Sequence, residues 1–333
     1  MLESRVKHAG RAINWLITGP ERQCPLCDGA VHSEISRRMQ HQLNLTTVVC
    51  ENCSFVFTNP LPAREVYEKF YVEAYASYYG HIAAKPEGPR LQKEPTAVTE
   101  RFQEIEKHSV LPGRRLLEVG PGNGLFLYWA RRRGFDVLAV EPSPEFCTVL
   151  KKMGVACIEG NLNQVDASSV GKFDVIVMSH VLEHFYSPSE ALSMVWALLR
   201  ENGLLVVEVP NILKPFRSLD SYFLRYVHPS NFSPQTLRLM LNAHGFNVRW
   251  MDEAGSDWRS PQSLAVVAER TDVRRNLSAC GSGSANEVKR AIKRYRKFWR
   301  TKGWIMWTLW QSYRAARSAT YRAFRMLRTR ISG

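Results

Sequence analysis

The chain has 333 residues, 45% of them apolar, and a formal net charge of +14. That composition excludes a disordered chain and supports one large domain with appendages or two modest domains. From 287 to 333 there are 14 Lys and Arg against one acid, so the first 286 residues are nearly neutral and the basicity is a property of the tail.

Residues 1–22 read as a short basic helix with Val6, Ile13, Trp15, Leu16 and Ile17 partly on one side. No stretch approaches the ~20 apolar residues of a membrane span, and the N-terminal stretch lacks the long apolar run of a secretory signal, so the expectation is a cytoplasmic protein. Four of the seven cysteines form two knuckles, Cys24-x-x-Cys27 and Cys50-x-x-Cys53, with 22 residues between them. Four thiolates at this spacing can close a tetrahedron around Zn2+ and leave no open position, which assigns a structural metal with no catalytic role. Cys147, Cys157 and Cys280 are scattered as reduced thiols would be.

The stretch "PAREVYEKFYVEAYASYYG" predicts a helix whose Tyr71, Tyr75, Tyr78 and Tyr79 either pack in the core or fold back as a lid, and residues 85–95 read as a linker. After a helix near 97–108, strands expected at 115–119, 136–140, 154–158, 173–178 and 203–209 alternate with helices at about 123–133, 143–153, 188–200 and 233–244. This alternation marks an α/β, doubly wound, mostly parallel sheet. "FNVRWM" and "SLAVVAER" should add an antiparallel pair at one edge.

The turn "LLEVGPGNGLF" has glycines at 120, 122 and 124, a G-x-G-x-G spacing, whereas a dinucleotide turn would need a third glycine at the position of Leu125. Glu118, two residues before the first glycine, would repel a pyrophosphate and attract an ammonium group. Glu141, ending the next strand, can accept both hydroxyls of a ribose. A ligand with a ribose, an amine and little negative charge fits, and S-adenosylmethionine meets those terms.

With these motifs in order, followed by "FDVIVMSHVLEHFYSP" and "LLRENGLLVVEVPN", residues 114–270 resemble a class I S-adenosylmethionine-dependent methyltransferase domain. The resemblance implies that Glu118 and the Gly120, Gly122 and Gly124 backbone hold the methionine portion, that Glu141 holds the ribose, that Asn161 and Leu162 lie at the adenine, and that His180 lies close to the donor. The segment "CENCSFVFTNPLPAREVYEKFY" resembles the zinc ribbon ahead of this domain in enzymes that modify sugars and bacterial glycans. The chain then divides into a basic segment (1–22), a zinc ribbon (23–60), a helical lid and linker (61–110), the methyltransferase domain (111–272) and a basic aromatic tail (287–333).

Methyl transfer to a hydroxyl, or to a carbon beside a ketone, needs a base; an amine needs much less. The long connection "PNILKPFRSLDSYFLRYVHPSNFSPQTL" should cover the carboxyl ends of the strands, where His228 is the first candidate base. The setting is similar to the "EHxxYFS" of sugar C-methyltransferases, although the glutamate and tyrosine positions are Val227 and Asn231 here, which favours oxygen over carbon as the acceptor. Glu183 and His184 form the second candidate pair.

In the tail, Val288, Ile292, Tyr295, Trp299, Met306, Leu309 and Tyr313 continue at steps of three, four or seven along one side of a helix, and four tryptophans crowd 299–310. Three readings are open: a peripheral helix on an anionic membrane surface, a nucleic-acid contact, and packing onto the protein's own body. The expected function is methylation of a sugar in a nucleotide-linked or lipid-linked bacterial glycan at the inner membrane face. The alternatives are RNA methylation and a scaffold that only binds.

Overall fold

A computed structural model describes residues 19–40, 43–73, 93–110, 113–215, 218–253, 263–274 and 284–305, with 308, 309 and 312 beyond. The N-terminal helix expected within 1–22 and Cys280 lie outside the described residues, apart from 19–22. So do Tyr75, Tyr78, Tyr79, the side chain of Tyr71 and most of the linker.

Two sheets organise the chain. The first begins with β1 (His32–Gln40), β2 (Leu43–Cys50) and β3 (Val56–Thr58), preceded by the first cysteine knuckle, and leads into helix α1 (Arg64–Glu73). The second is built from α2 (Thr96–His108), β4 (Arg115–Val119), α3 (Leu125–Arg132), β5 (Asp136–Glu141), α4 (Pro144–Lys152), β6 (Ala156–Glu159), α5 (Ala167–Val170), β7 (Phe173–Ser179), α6 (Pro188–Leu198) and β8 (Leu199–Pro210). A two-residue strand β9 (Ser230–Asn231), α7 (Pro234–Ala243), β10 (Phe246–Asp252), β11 (Ser263–Arg270) and α8 (Ala285–Phe298) follow.

The large sheet has the order β10-β11-β8-β7-β4-β5-β6. Its members from β8 to β6 pair in parallel, and β11 runs antiparallel to both β8 and β10. The parallel strands are buried on both faces, which is why "FDVIVMS" and "LLVVEV" read as largely apolar runs, interrupted only by the buried Asp174 and Glu208. The strand order reverses between β4 and β7, so a crevice opens at their carboxyl ends, where open α/β sheets bind ligands. Helix α2, expected by its position to belong with the lid, packs on this sheet through Val98, Phe102 and Ile105, with Phe102 stacked on Phe126 at 4.7 Å.

The connection after β8 joins the two sheets. Its strand β9 pairs with β3, completing a small sheet of order β1-β2-β3-β9. Phe232 then buries against Phe55 at 5.4 Å. The cysteine segment and the large sheet share one apolar core, with Leu26, Phe55 and Phe57 in the same cluster as Leu182, Leu192 and Phe232.

Arg22 locks this junction. Its backbone N–H donates to Asn59 Oδ1 at 2.9 Å, and its guanidinium reaches the carbonyls of Thr58, Tyr186 and Pro229 at 3.2–3.4 Å, one from each neighbouring segment. Burial lowers its pKa to about 10, so it stays charged at neutral pH. We expect Arg22→Ala to destabilise the protein by about 2–3 kcal/mol, because hydrogen bonds to a charged donor are lost and each carbonyl it reaches loses that donor. Chemical denaturation of both proteins measures this, and a difference under about 0.5 kcal/mol, the range of ordinary surface substitutions, would contradict it.

The start of the tail follows one of the three readings left open for it. Val288 and Ile292, two positions of the apolar stripe, are buried against Val49, Val56, Ile212, Leu219 and Phe223, and Tyr295 packs at the rim. Arg296 pairs with Asp220 and donates to the Ile35 carbonyl at 2.8 Å, while Lys289 pairs with Glu51. The start of the apolar stripe therefore lies against the protein's own body, since the small sheet and the cover leave an apolar notch that this face fills. Beyond it, Trp304, Ile305 and Leu309 are exposed. No helix among the described residues is long and apolar enough to cross a membrane.

Candidate active site

The glycine turn between β4 and α3 takes its shape from backbone that side chains resist. Gly120, Gly122 and Gly124 have φ of 63°, 55° and 72°. A Cβ at Gly120 would come 2.8 Å from Val181, and one at Gly124 would come 2.4 Å from Leu150, whereas at Gly122 there is open space within 4 Å. The first and third glycines are thus set by packing, and the middle one keeps the backbone accessible from the crevice.

Glu118 lies behind this turn, 4% exposed, and its Oε2 has no hydrogen-bond partner among the described residues. Burial raises its pKa to about 7, with Arg101 opposing and Glu141 adding to the rise. Glu141 is likewise raised to about 7 by burial, although it accepts hydrogen bonds from the N–H groups of Ser143 at 2.9 Å and Gly122 at 3.2 Å. An orphaned buried carboxylate next to exposed glycine backbone, with a second carboxylate one strand away, fits a ligand that brings an ammonium and a ribose. Asn161 caps the turn beyond β6, its N–H bound to Gln164 Oε1 at 2.8 Å, and the side chain of Leu162 is buried in the core.

Beyond β7 the chain forms a second constellation. His180 sits half-buried at φ 55° between two carboxylates, with ring nitrogens 3.5 Å from Glu183 and 3.4 Å from Glu208. Burial opposes its charge, but Glu183 and Glu208 outweigh it and raise its pKa to about 10. Arg101 donates to Glu208 at 2.8 Å and to Ser179 Oγ at 3.2 Å, and Ser179 donates to the same carboxylate at 2.9 Å. Against its burial, His180, Arg101 and Ser179 hold the Glu208 carboxyl near 2.

The cover brings His228 to this place. The His184 and His228 rings meet edge to face at 4.7 Å, and one donor atom from each of Glu183, His184 and His228 lies within 4.8 Å of the others. A carbonyl can only accept, so the 2.6 Å contact of His184 Nδ1 with the Val227 oxygen makes Nδ1 the protonated nitrogen. Burial lowers the pKa of both imidazoles, most strongly for His228, where His184 and Arg225 add to the effect. Tyr67 ties the parts together, its hydroxyl contacting the carbonyls of His184 at 3.0 Å and Val227 at 3.3 Å.

The structure thus brings together the two candidates that the sequence kept as rivals, the pair Glu183 with His184 and the single residue His228. It adds Tyr67, Arg101 and Glu208, which the sequence reading missed. Tyr67 stands in the helix whose later tyrosines were singled out, and Glu208 stood in the quoted "VVEVPN". Their type is a signal, but their convergence is not encoded locally.

The four cysteines are some distance along the chain but converge at the edge of the small sheet. Cys24 and Cys53 have Sγ atoms 3.6 Å apart, as do Cys27 and Cys50, and all four lie within 4.8 Å of one another. Both knuckles fold alike: the fourth residue after the first cysteine, Asp28 or Ser54, returns an N–H to that cysteine's carbonyl at 2.9 Å and has positive φ. A tetrahedron with metal–sulfur bonds of ~2.3 Å has edges of about 3.8 Å, so the donor set fits zinc.

Comparison with known proteins gives a consistent picture. A family profile described as "Methyltransferase domain" matches residues 89–249. A ubiquinone biosynthesis O-methyltransferase of Xylella fastidiosa (strain M23) is 30% identical over 201 residues, 54% of this chain and 78% of that protein. One from Caulobacter sp. (strain K31) is 31% identical over 152 residues, 41% of this chain and 60% of that protein. Among solved structures, the 1,6-didemethyltoxoflavin-N1-methyltransferase of Burkholderia thailandensis is 19% identical, with a TM-score of 0.48 over 66% of this chain and 97% of that one.

Proposed function

Because the chain belongs to the class I S-adenosylmethionine-dependent methyltransferases, we propose that it methylates a hydroxyl of a sugar in a nucleotide-linked or lipid-linked bacterial glycan. Glu118, the Gly120–Gly124 backbone and Glu141 would hold the donor, which when bound supplies a methyl group already activated on a sulfonium. The acceptor proton is then the remaining problem.

The observation that carries the hydroxyl reading is the convergence of the His184 and His228 rings, 4.7 Å apart, on Glu183, where burial pushes both imidazoles toward the uncharged form. An amine acceptor would need little help, whereas a hydroxyl must lose its proton as the new bond forms. A neutral imidazole can take that proton, and the Glu183 carboxylate, 4.0 Å from His184 Nε2, stabilises the charge that results. Tyr186 and Tyr226 flank Tyr67 at 6.0 and 5.8 Å, and with Tyr67 and Tyr226 buried they brace the cover that carries His228.

His228→Ala is expected to lower turnover by about 10²–10³-fold, the range for one acid–base group, with donor affinity unchanged. Steady-state kinetics alongside calorimetry of donor binding checks this, and unaltered turnover would remove His228 from the reaction.

The relatives favour a second reading with the same oxygen chemistry, in which the acceptor is a phenolic hydroxyl of a ubiquinone precursor. Incubating the full chain with methyl-labelled donor and separated nucleotide-sugar, lipid-extract, quinone and RNA fractions decides between them. Label in a sugar supports the proposal, label in the quinone fraction selects the second reading, and label in RNA would overturn both.

We further propose that Cys24, Cys27, Cys50 and Cys53 hold structural Zn2+, and that the exposed Trp304, Ile305 and Leu309 with the tail's Lys and Arg place the protein on the anionic inner membrane face. Sedimentation with anionic vesicles, before and after deletion of 304–333, tests the second point without disturbing α8.

A further inference from the structure

We propose that helix α8 is a positioning element of the methyl-transfer site: through Phe223 and the Arg296–Asp220 pair it holds the turn of the cover that anchors the His228 ring. This rests on the reading of His228 as base only for the effect on turnover, because the placement of the ring is a separate observable.

The cover approaches His228 through one wide helical turn, Leu219–Phe223. The Phe223 N–H donates to the Ser218 carbonyl at 3.2 Å and the Leu224 N–H to the Leu219 carbonyl at 2.9 Å. Phe223 links the helix to the imidazole. Its side chain, 3% exposed, lies in the apolar cluster that Val288 and Ile292 of α8 complete. Its main chain makes a hydrogen bond with the His228 ring that favours the charged imidazole, so the ring N–H donates and the Phe223 carbonyl accepts. Fixing the proton on one ring nitrogen leaves the lone pair on the other, the form that a general base requires.

Asp220, three residues earlier in the same turn, is gripped from α8. Arg296 Nε donates to Asp220 Oδ2 at 2.9 Å and Nη2 donates to Oδ1, a fork that fixes direction as well as distance. Ser36 Oγ donates to the same Oδ1 at 2.7 Å, and Arg296 Nη1 to the Ile35 carbonyl at 2.8 Å, so the clasp also joins the cover to β1. The apolar contact sets how closely α8 lies on the turn, and the ion pair sets its register.

The chain after His228 has a different hold. There β9 pairs with β3, and the Ile212 N–H donates to the Phe232 carbonyl at 2.9 Å. Before His228, the described residues from 212 onward form no strand, and α8 supplies on that side what a sheet supplies on the other. With the clasp cut, Leu219 and Phe223 lose the surface that fixes them, and the turn can carry the Phe223 carbonyl away from the ring.

The test uses the full chain labelled with nitrogen-15 histidine, since the ring shifts report which nitrogen carries the proton, and the signals missing from His228→Ala identify that residue. Above neutral pH, wild type should show His228 as a single tautomer and Arg296→Ala should show a mixture of the two. Transfer of labelled methyl to the fraction that accepts it should fall about ten- to hundredfold in Arg296→Ala, since a displacement near 1 Å can cost ~10²-fold. Donor affinity should stay unchanged, as evidence of folding. Arg296→Lys, which keeps the charge, should recover part of both losses. Lys289→Ala, which removes the pairing of α8 with Glu51 beside the small sheet, should match wild type in both readings. A single His228 tautomer in Arg296→Ala, or an equal change in Lys289→Ala, overturns the positioning role. Mixed tautomers in Arg296→Ala together with full transfer by His228→Ala sustain the placement of the ring and overturn His228 as the base.

Discussion

The Cys50→Ser protein is expected to lose methyl transfer by roughly a hundredfold or more while still binding the donor. Cys50 ends β2, and its Sγ lies 3.6 Å from that of Cys27. On the zinc reading proposed above, replacing one thiolate removes a share of a binding free energy that is about 10–16 kcal/mol for structural zinc and is in effect folding energy. The small sheet then loses its tie to the second knuckle, and β3 with it. The consequence reaches the site because β3 pairs with β9 through Val56–Asn231 and Phe57–Ser230, only two residues past His228. The Thr58 N–H also donates to the Pro229 carbonyl at 2.9 Å. Misplacement of a reacting group by about 1 Å can by itself cost around 10²-fold. The residues proposed to hold the donor are spared by their location, for Glu118 is the penultimate residue of β4 and Glu141 the last of β5, whose sheet neighbours are β7 and β6. Zinc content, calorimetry with the donor and a labelled-methyl assay give the three readings. Full transfer by a protein lacking zinc would show that the cluster does not position His228.

That coupling marks the boundary of what the sequence discloses. The large sheet is legible because its signals are local. Apolar runs of strand length alternate with amphipathic helices, Ser143, Ser187 and Ser233 cap helices that begin with proline, and three glycines announce a turn. The carboxylates proposed to meet the donor, Glu118 and Glu141, are placed at strand ends for the same reason, each at a fixed distance from its turn. The cover is different. Val227, Val56 and Phe57 look like ordinary apolar residues, and β9 is too short to leave a periodic pattern. Nothing near Arg22 in the chain says that its partners are Thr58, Tyr186 and Pro229. Arg101 and Glu208, 107 residues apart, form their ion pair only because α2 lies across the carboxyl end of β8. The tail carried a periodic stripe, but periodicity reports that a face is apolar, and the notch between sheet and cover decides what buries it.

Glu118→Gln is the other substitution with a large expected effect, a loss of donor affinity of about 2–4 kcal/mol, or roughly 30- to 1,000-fold. Truncating one member of a buried charge pair costs this much because the partner charge is left without compensation. The neutral amide fits the space but offers the donor's ammonium only a dipole. The same carboxylate makes binding depend on pH. In the unliganded protein Glu118 and Glu141 have pKa values raised to about 7, mainly by burial. Each binds more protons folded than unfolded between its ordinary value and 7, so their contribution to the stability of the unliganded protein is present at low pH and falls as pH rises through 7. For a glutamate raised this far the difference is roughly 3 kcal/mol. A ligand bearing an ammonium favours the ionised form and reverses the trend. Donor affinity should therefore rise by up to about tenfold per pH unit toward 7 and level off above it. Glu118→Gln should bind weakly with a shallower dependence, since only Glu141 would still titrate. Calorimetry from pH 5.5 to 8.5 on both proteins measures slope and plateau together. Donor affinity flat across that range in wild type, or equal in the two proteins at pH 8, would mean that the ammonium is held elsewhere than at the end of β4.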